Sequence, residues 1–251
     1  MALKRIIARL DIKQNRLIKG MHLEGWRFLP EEPQVYCSRF YSGGIDEIIY
    51  IDVVASLYGR DKLTEIVRST TDQVFVPITA GGGVRSLADA TDLLRSGADK
   101  VAVCTGVIRE PSLIGEISNR YGAQCCVVSI QAKKNRNSRW DAYYDIGREN
   151  SGRDAVEWAV EAAALGAGEL LITSIDREGT RKGFDLELIS EISAAVNIPV
   201  IASGGLGRPE HAPEALSAGA DAVAVAYGLH YGVCNISQIK DACRAAGFEM
   251  R

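Results

Sequence analysis

The chain has 251 residues, of which 47% are hydrophobic and 24% are charged, and its formal net charge is −3. These fractions are typical of a globular protein and exclude a disordered chain or a fibrous repeat, and the slight acidity gives no electrostatic reason to expect a nucleic acid or a membrane surface as partner. The 25 glycines lie well above the average share of about 7%, although only 7 prolines accompany them.

No apolar run approaches the length of a membrane span, and Asp11 interrupts the first apolar stretch too early for a signal peptide. We therefore expect a cytoplasmic protein. Six cysteines without C-x-x-C spacing are expected to be reduced, mostly buried thiols. The three histidines form no ligand pattern, so we expect neither a metal site nor a cofactor.

Short apolar runs rich in β-branched residues alternate along the chain with longer segments whose apolar residues recur every three or four positions. The short runs predict eight strands, Ile6–Ile12, Ile48–Val53, Val76–Ala80, Lys100–Cys104, Cys125–Gln131, Leu170–Ser174, Pro199–Ser203 and Asp221–Ala226. The clearest helices that follow them are Leu87–Ser96, Ser112–Tyr121, Gly152–Leu165, Leu186–Val196, Pro209–Ala218 and Ile236–Ala245. Near-continuous apolar strands that alternate with helices indicate a parallel sheet covered by helices.

Eight strand–helix units in a chain of this length match a closed (β/α)8 barrel, an α/β fold. We predict a single barrel domain spanning residues 1–251. The alternative is an open doubly wound sheet, which the absence of a G-x-G-x-x-G turn after the first strand disfavours. The stretches around Asp11 and Gln131, and the glycine runs Gly81–Gly83 and Gly204–Gly205, repeat at an offset of about 120 residues, so each half is predicted to be a (β/α)4 unit.

The two glycine runs follow the third and seventh strands. Glycine allows a backbone to approach a ligand closely, and the helix N-termini that follow favour anions. Because barrels often hold phosphate at these loops, the pair of runs predicts a ligand with an anionic group at each end. The alternative is that these glycines serve ordinary turns.

Three carboxylates are predicted at the carboxyl ends of strands, where barrel active sites lie, namely Asp11, Asp52 and Asp176. Each is a candidate for acid–base chemistry, and the alternative for each is a helix N-cap or a structural ion pair. The repeat places Gln131 opposite Asp11, and glutamine cannot titrate. Period-two counting turns Arg9 to the same face as Asp11, where a cation needs a ligand anion or a carboxylate as partner.

Over essentially its full length the chain resembles the cyclase subunits of imidazole glycerol phosphate synthase. The resemblance is carried by Lys4–Ile7, Leu10–Lys13, Ile18–Gly20, Ile51–Asp52, Gly81–Ser86, Gly97–Val101, Gln124–Cys125, Leu165–Glu169, Ser174–Gly183, Asp185–Leu186 and Ile198–Gly205. It implies a barrel that takes ammonia from a glutaminase docked at its amino-terminal face and passes it through the interior. At the active site at the other end of the barrel, the ammonia is expected to react with a bisphosphorylated aminoimidazole-carboxamide ribonucleotide to give imidazole glycerol phosphate and the ribonucleotide AICAR.

The resemblance also implies roles for individual residues. The two catalytic positions fall on Asp11 and on Gln131, which is an aspartate in the family. The substrate- and phosphate-binding candidates are Lys19, Asp52, Gly82, Gly83, Cys104, Thr105, Thr173, Asp176, Gly179, Ser203, Gly204, Gly205, Ala226 and Tyr227. The charged ring at the ammonia entrance falls on Arg5, Glu47, Lys100 and Glu169, and Asp99 matches a position at the glutaminase interface.

Four residues depart from the family pattern, namely Arg9, Cys104, Gln131 and Tyr227. Because the entrance ring is retained while the opposite face changes, the favoured hypothesis is a paralogue encoded with surface-polysaccharide genes, which the run at residues 51–60 also resembles. Such a barrel would supply ammonia, with a glutaminase and a third amidotransferase-like protein, for the amidation of a nucleotide sugar. The alternatives are a histidine-pathway cyclase, weakened by Gln131, and a non-catalytic sensor of a phosphorylated ligand.

Overall fold

The computed structural model describes residues 3–55 and 61–251. In chain order the strands are β1 (Arg5–Lys13), β2 (Arg16–Met21), β3 (Glu24–Phe28), β4 (Glu47–Asp52), β5 (Ile78–Gly81), β6 (Lys100–Val103), β7 (Cys126–Lys134), β8 (Trp140–Tyr144), β9 (Glu149–Asp154), β10 (Glu169–Ser174), β11 (Val200–Ser203) and β12 (Ala222–Val225). The described helices are α1 (Pro33–Ser42), α2 (Asp61–Thr71), α3 (Leu87–Arg95), α4 (Thr105–Arg109), α5 (Ser112–Tyr121), α6 (Ala155–Ala164), α7 (Leu186–Ala195), α8 (His211–Ser217), α9 (Tyr227–His230) and α10 (Ile236–Ala245). A 3₁₀ turn at Ala123–Cys125 precedes β7.

Eight of the strands pair in parallel in the order β1–β4–β5–β6–β7–β10–β11–β12. The circle closes because β12 pairs with β1, with Arg5 opposite Ala222 and Ala8 opposite Val225. The predicted (β/α)8 barrel is therefore confirmed. None of the helices in the described ranges is long and apolar enough to cross a bilayer.

The core has two layers because successive residues of a strand face opposite sides. On β1, Ile6 and Leu10 pack outward against the helices, and Ile7 points into the barrel. The interior layer is an apolar collar made by Ile7, Ile49, Ala102, Val127, Leu171, Ile201, Ala222 and Ala224. Each fully buried isoleucine or leucine contributes about 1.5–3 kcal/mol through the area it removes from water.

Two antiparallel hairpins extend from the carboxyl-terminal mouth of the barrel, and the sequence reasoning missed both. One, β2–β3, continues from β1, and the other, β8–β9, continues from β7. They occupy equivalent places in the two halves, which agrees with the predicted half-barrel repeat. Their tips bring further side chains over the mouth.

The second hairpin corrects one predicted boundary. The helix predicted from Gly152 begins at Ala155, because Glu149–Asp154 pairs with β8 as a strand. The Asp154 carboxylate caps the helix by accepting the backbone N–H groups of Val156 and Glu157. In the 51–60 run, residues 56–60 lie outside the described part of the chain.

All six cysteines are free thiols, four of them buried and two partly exposed. Cys37 is a buried example, whose Sγ lies 2.7 Å from the Tyr50 hydroxyl. Burial raises the pKa of the Cys37 thiol to about 12, so it is protonated at neutral pH. These thiols therefore pack as small apolar groups, as the sequence predicted for most of them.

Candidate active site

A deep pocket opens at the carboxyl ends of the barrel strands, and we call it the first pocket. It brings together eight predicted site residues, Asp11, Lys19, Asp52, Gly82, Gly83, Cys104, Thr105 and Gln131. Side chains from both hairpins also line it, including those of Trp26 and Ile146. Side chains alternate between the two faces of β1 and β7, so the inward-facing residues near the ends of these strands, Asp11 and Gln131, both point into the mouth.

Arg9 occupies the floor of the first pocket and crosses between strands. Its Nε donates to Asp11 Oδ1 at 3.0 Å, and its Nη1 donates to Thr173 Oγ1 at 2.8 Å and Ser203 Oγ at 3.0 Å. Arg9 and Asp11 are only 5% and 7% exposed. The inward orientation predicted for Arg9 is confirmed, and its charge partner is the carboxylate of Asp11.

Gln131 lies on β7, in register with Thr173 of β10 and Tyr143 of β8. Its side chain is buried and lines the first pocket. Its Oε1 has no hydrogen-bond partner among the described residues. A buried amide oxygen without a partner is unusual in a folded protein, because such atoms are nearly always satisfied.

Lys19, on β2, forms a buried ion pair with Glu178, which the sequence reasoning did not single out. The same hairpin is fastened by a hydrogen bond from His22 N to Glu178 O at 2.9 Å. Burial lowers the pKa of Lys19, the nearby Asp11 opposes the shift, and Arg9 adds to it; the adjacent Glu178 carboxylate favours the charged ammonium. Glu178 therefore holds the lysine at the mouth of the pocket.

The first glycine turn follows β5 and forms one wall of the first pocket. Gly82 has φ +114°, and a Cβ there would lie 2.2 Å from the backbone oxygen of Asp52. The Asp52 Oδ1 accepts the Val54 N–H at 2.9 Å, and burial raises the pKa of this carboxyl. The Asp52 side chain thus stabilises its own loop after β4, which is a structural role, and it also lines the pocket.

Cys104 and Thr105 complete this side of the pocket. Burial raises the pKa of the Cys104 thiol to about 12, so the sulfur is a neutral lining group and not a thiolate nucleophile. Thr105 Oγ1 accepts the backbone N–H of Asp145, at the tip of the second hairpin, at 3.1 Å. The threonine thereby ties that hairpin to the strand ends.

A second, smaller pocket lies beside the first and contains the second glycine turn. It holds six more of the predicted substrate- and phosphate-binding residues, Gly179, Ser203, Gly204, Gly205, Ala226 and Tyr227. Gly205 has φ +115°, and a Cβ there would lie 2.1 Å from the oxygen of Gly183. The Arg181 guanidinium lies 5.3 Å from the ring of Tyr227, which brings a positive charge beside this pocket.

Two predicted site residues line neither pocket. Thr173 is fully buried and accepts a hydrogen bond from Arg9. Asp176 Oδ2 accepts the backbone N–H of Lys134 at 2.8 Å, which links the loop after β10 to the end of β7. In this structure both residues therefore act by holding the walls of the site together.

The four predicted ring residues meet at the opposite, amino-terminal end of the barrel. Glu47 accepts from Arg5 at 2.7 Å and from Lys100 at 2.9 Å, and Glu169 accepts from Lys100 at 2.8 Å and also from Arg5. Burial opposes the charge of Arg5, but the carboxylates of Glu169 and Glu47 outweigh it and raise the pKa of the guanidinium. The apolar collar separates this charged ring from Arg9 and the first pocket.

Asp99, predicted at a partner interface, lies at the same end as the ring. Its Oδ2 accepts the Ile78 N–H at 2.8 Å, and Asp221 accepts the Val200 N–H at 3.1 Å in the same way in the other half. Asp99 therefore has a structural role at the start of β5.

With this geometry in place, comparison with known proteins decides the family. A profile of the family described as histidine biosynthesis proteins matches residues 5–235. The chain belongs to this family. The imidazole glycerol phosphate synthase subunit HisF of Legionella pneumophila is 57% identical over 206 residues, which cover 82% of this chain and 97% of that protein. The subunits of the same name from Corynebacterium diphtheriae and Arthrobacter sp. are 47% and 45% identical, and each alignment covers 98% of both chains.

These relatives contradict the favoured surface-polysaccharide hypothesis. Proteins named as the synthase subunit are 45–57% identical to this chain. Neither the relatives nor the structure supports a nucleotide-sugar substrate, a third partner protein or a weakened activity. The hypothesis gave too much weight to Arg9, Cys104, Gln131 and Tyr227. The structure accommodates each of them locally, because Asp11 neutralises Arg9, Cys104 is a protonated thiol, and Gln131 and Tyr227 line intact pockets.

Proposed function

We propose that this chain is the cyclase subunit of an imidazole glycerol phosphate synthase and acts in histidine biosynthesis. Two observations together support the proposal. The chain aligns over nearly its whole length with subunits of that name, and both glycine turns lie at one mouth of the barrel. The substrate is a bisphosphorylated aminoimidazole-carboxamide ribonucleotide, and the products are imidazole glycerol phosphate and AICAR.

The two glycine turns bind the two phosphates of this substrate. Backbone N–H groups freed by the positive φ of Gly82 and Gly205 are suited to phosphate oxygens, and no side chain keeps the ligand away from the backbone. Arg181 adds a cation beside the second turn. The reacting part of the ligand then lies between the turns, over Asp11 and Gln131.

Asp11 is the proposed proton-transfer group. Its carboxylate lines the pocket and is oriented by the Nε of Arg9, so its free oxygen faces the ligand. Lys19, held by Glu178 on the hairpin, supplies a second polar contact from above. Gln131 takes part by hydrogen bonding alone, because its amide does not titrate.

Ammonia for the reaction comes from a glutaminase subunit docked at the amino-terminal end of the barrel. Support for this part of the proposal lies in the ring of Arg5, Glu47, Lys100 and Glu169 at that end, and in the collar beyond it. Neutral ammonia suits an apolar passage, since an ammonium ion would be costly to desolvate there. Asp99 lies at the face that such a partner would cover.

The test is to supply the purified chain with the bisphosphorylated substrate and an ammonium salt at alkaline pH. We expect equimolar imidazole glycerol phosphate and AICAR, and we expect glutamine to replace the salt once the glutaminase is added. Absence of both products under these conditions, together with failure to complement a strain that lacks the cyclase, would contradict the proposal.

A further inference from the structure

Gln131 carries a hydrogen-bonding capacity that nothing in the described part of the chain uses. The side chain is 9% exposed and lines the first pocket. Its Oε1 lacks a partner, and none of the hydrogen bonds between described residues involves its Nε2. A primary amide has two donors and an acceptor, so a complete set remains available to a ligand.

The position of this amide is fixed by the barrel. Gln131 belongs to a strand that pairs on one side with β10 and on the other with β8. A side chain on such a strand has little freedom to reach another partner or to swing into solvent. Leaving Gln131 Oε1 buried and unsatisfied costs free energy, which a complementary ligand group recovers on binding.

The charges around the amide identify which ligand group is complementary. The neighbouring cation, Arg9, is already paired with Asp11 and bonded to Thr173 and Ser203. The floor of the pocket therefore offers a neutralised ion pair and a neutral amide. Such a surface fits a neutral polar group better than a second carboxylate.

A primary carboxamide matches a glutamine side chain in both directions. One N–H of the ligand donates to Oε1 while Nε2 donates to the ligand carbonyl, which gives two antiparallel hydrogen bonds. A carboxylate at the same place would accept from Nε2 but would set a negative oxygen against Oε1. Sites built around such paired bonds discriminate strongly against analogues that leave one of them unmade.

We propose that Gln131 is a binding residue that recognises the carboxamide group of the imidazole ligand. The inference rests on the proposed function for the identity of the ligand. It assigns to Gln131 a specificity role in this chain that an ionised carboxylate could not fill, because a carboxylate lacks the donor for the ligand carbonyl.

Calorimetric titration of the wild-type chain with AICAR, and with the corresponding ribonucleotide that carries a carboxylate in place of the carboxamide, tests this role. We expect the wild type to bind the carboxamide at least about tenfold more tightly, which corresponds to one well-made hydrogen bond to a buried group. Gln131→Met, which keeps the length of the side chain without its polar atoms, is expected to lose this preference. Gln131→Leu provides a second apolar variant if the first folds poorly, as judged by circular dichroism.

The matched control is Gln73→Leu, which removes an exposed glutamine from a loop at the other end of the barrel. We expect it to keep the wild-type preference. Equal affinities of the wild type for both ribonucleotides, or an unchanged preference in the Gln131 variants, would overturn this inference and leave the proposed function standing. If the wild type binds neither ribonucleotide and also makes no imidazole glycerol phosphate, both are overturned.

Discussion

The Nε of Arg9 donates to Asp11 Oδ1 at 3.0 Å inside the mouth of the barrel, and both side chains are buried. The two residues are neighbours because positions two apart on a strand face the same side. The guanidinium also reaches Thr173 and Ser203, so one side chain links β1 to β10 and β11 at the floor of the first pocket. The orientation of the Asp11 carboxylate and the stability of the barrel therefore depend on the same cation.

Replacing Arg9 by methionine is expected to lower both stability and turnover. The substitution leaves the Asp11 carboxylate buried without its partner, which typically costs about 3–5 kcal/mol. Urea unfolding measures the loss, and cyclase assays with ammonium salt measure turnover. The Arg9→Met, Asp11→Asn double variant should lose less stability than the sum of the losses of the two single variants. A loss equal to that sum would show that the contact contributes nothing.

Replacing Asp11 by asparagine is expected to reduce turnover by about 10²–10⁴-fold, the usual contribution of a general acid–base group. Asparagine keeps the shape and an acceptor for Arg9, but it leaves the buried guanidinium without its charge partner, so stability should also fall by about 3–5 kcal/mol. Turnover is therefore compared well below the melting temperature of the variant. The control is Asp92→Asn on the exposed surface of α3, which should retain wild-type turnover. Equal rates for Asp11→Asn and wild type would remove Asp11 from the chemistry.

The sequence predicted the barrel and the floor of its site because both follow from strand periodicity. Buried parallel strands leave apolar runs, and counting by twos places Arg9 and Asp11 together. The hairpins left a weaker signal, since β3 is largely exposed and β9 carries no apolar side chain. Glu178 was missed for a related reason. Its partner Lys19 is 159 positions away, and only the hairpin brings the two together.

The glycine residues also show what the sequence alone could not predict. The sequence singled out Gly82, but only the structure shows that a Cβ there would lie 2.2 Å from the oxygen of Asp52, whereas Gly25, also at positive φ, has open space around it. We expect Gly25→Ala to cost about 1–2 kcal/mol for its left-handed backbone. Gly82→Ala should cost about 3 kcal/mol or more, because a clash is added to the strain.

Chemical unfolding of the two glycine variants measures this difference directly. Gly82→Ala should also weaken binding of the bisphosphorylated substrate, since the turn must shift to relieve the contact with Asp52. Gly25→Ala should bind the substrate as the wild type does. Equal losses of stability in the two variants would mean that the close approach to Asp52 is relieved at no cost.

Buried His230 predicts how stability depends on pH. Its ring stacks on Phe40 and meets the edge of Tyr36, and both ring nitrogens are buried. Burial lowers the pKa of His230 to about 3; Lys19 adds to the shift, whereas Asp11 and the backbone of Arg9 oppose it. The unfolded chain takes up a proton near pH 6.5 and the folded chain does not, so stability is lost as the pH falls from about 6.5 towards 3.

Urea unfolding of the wild type and of His230→Phe at pH 7, 6 and 5 isolates this contribution. Phenylalanine keeps the aromatic packing but has no proton to bind. Between pH 7 and pH 5 the wild type should lose about 2 kcal/mol more than the variant, as one proton bound only by the unfolded chain requires. Parallel losses in the two proteins would show that the pKa of His230 is not lowered in the folded state.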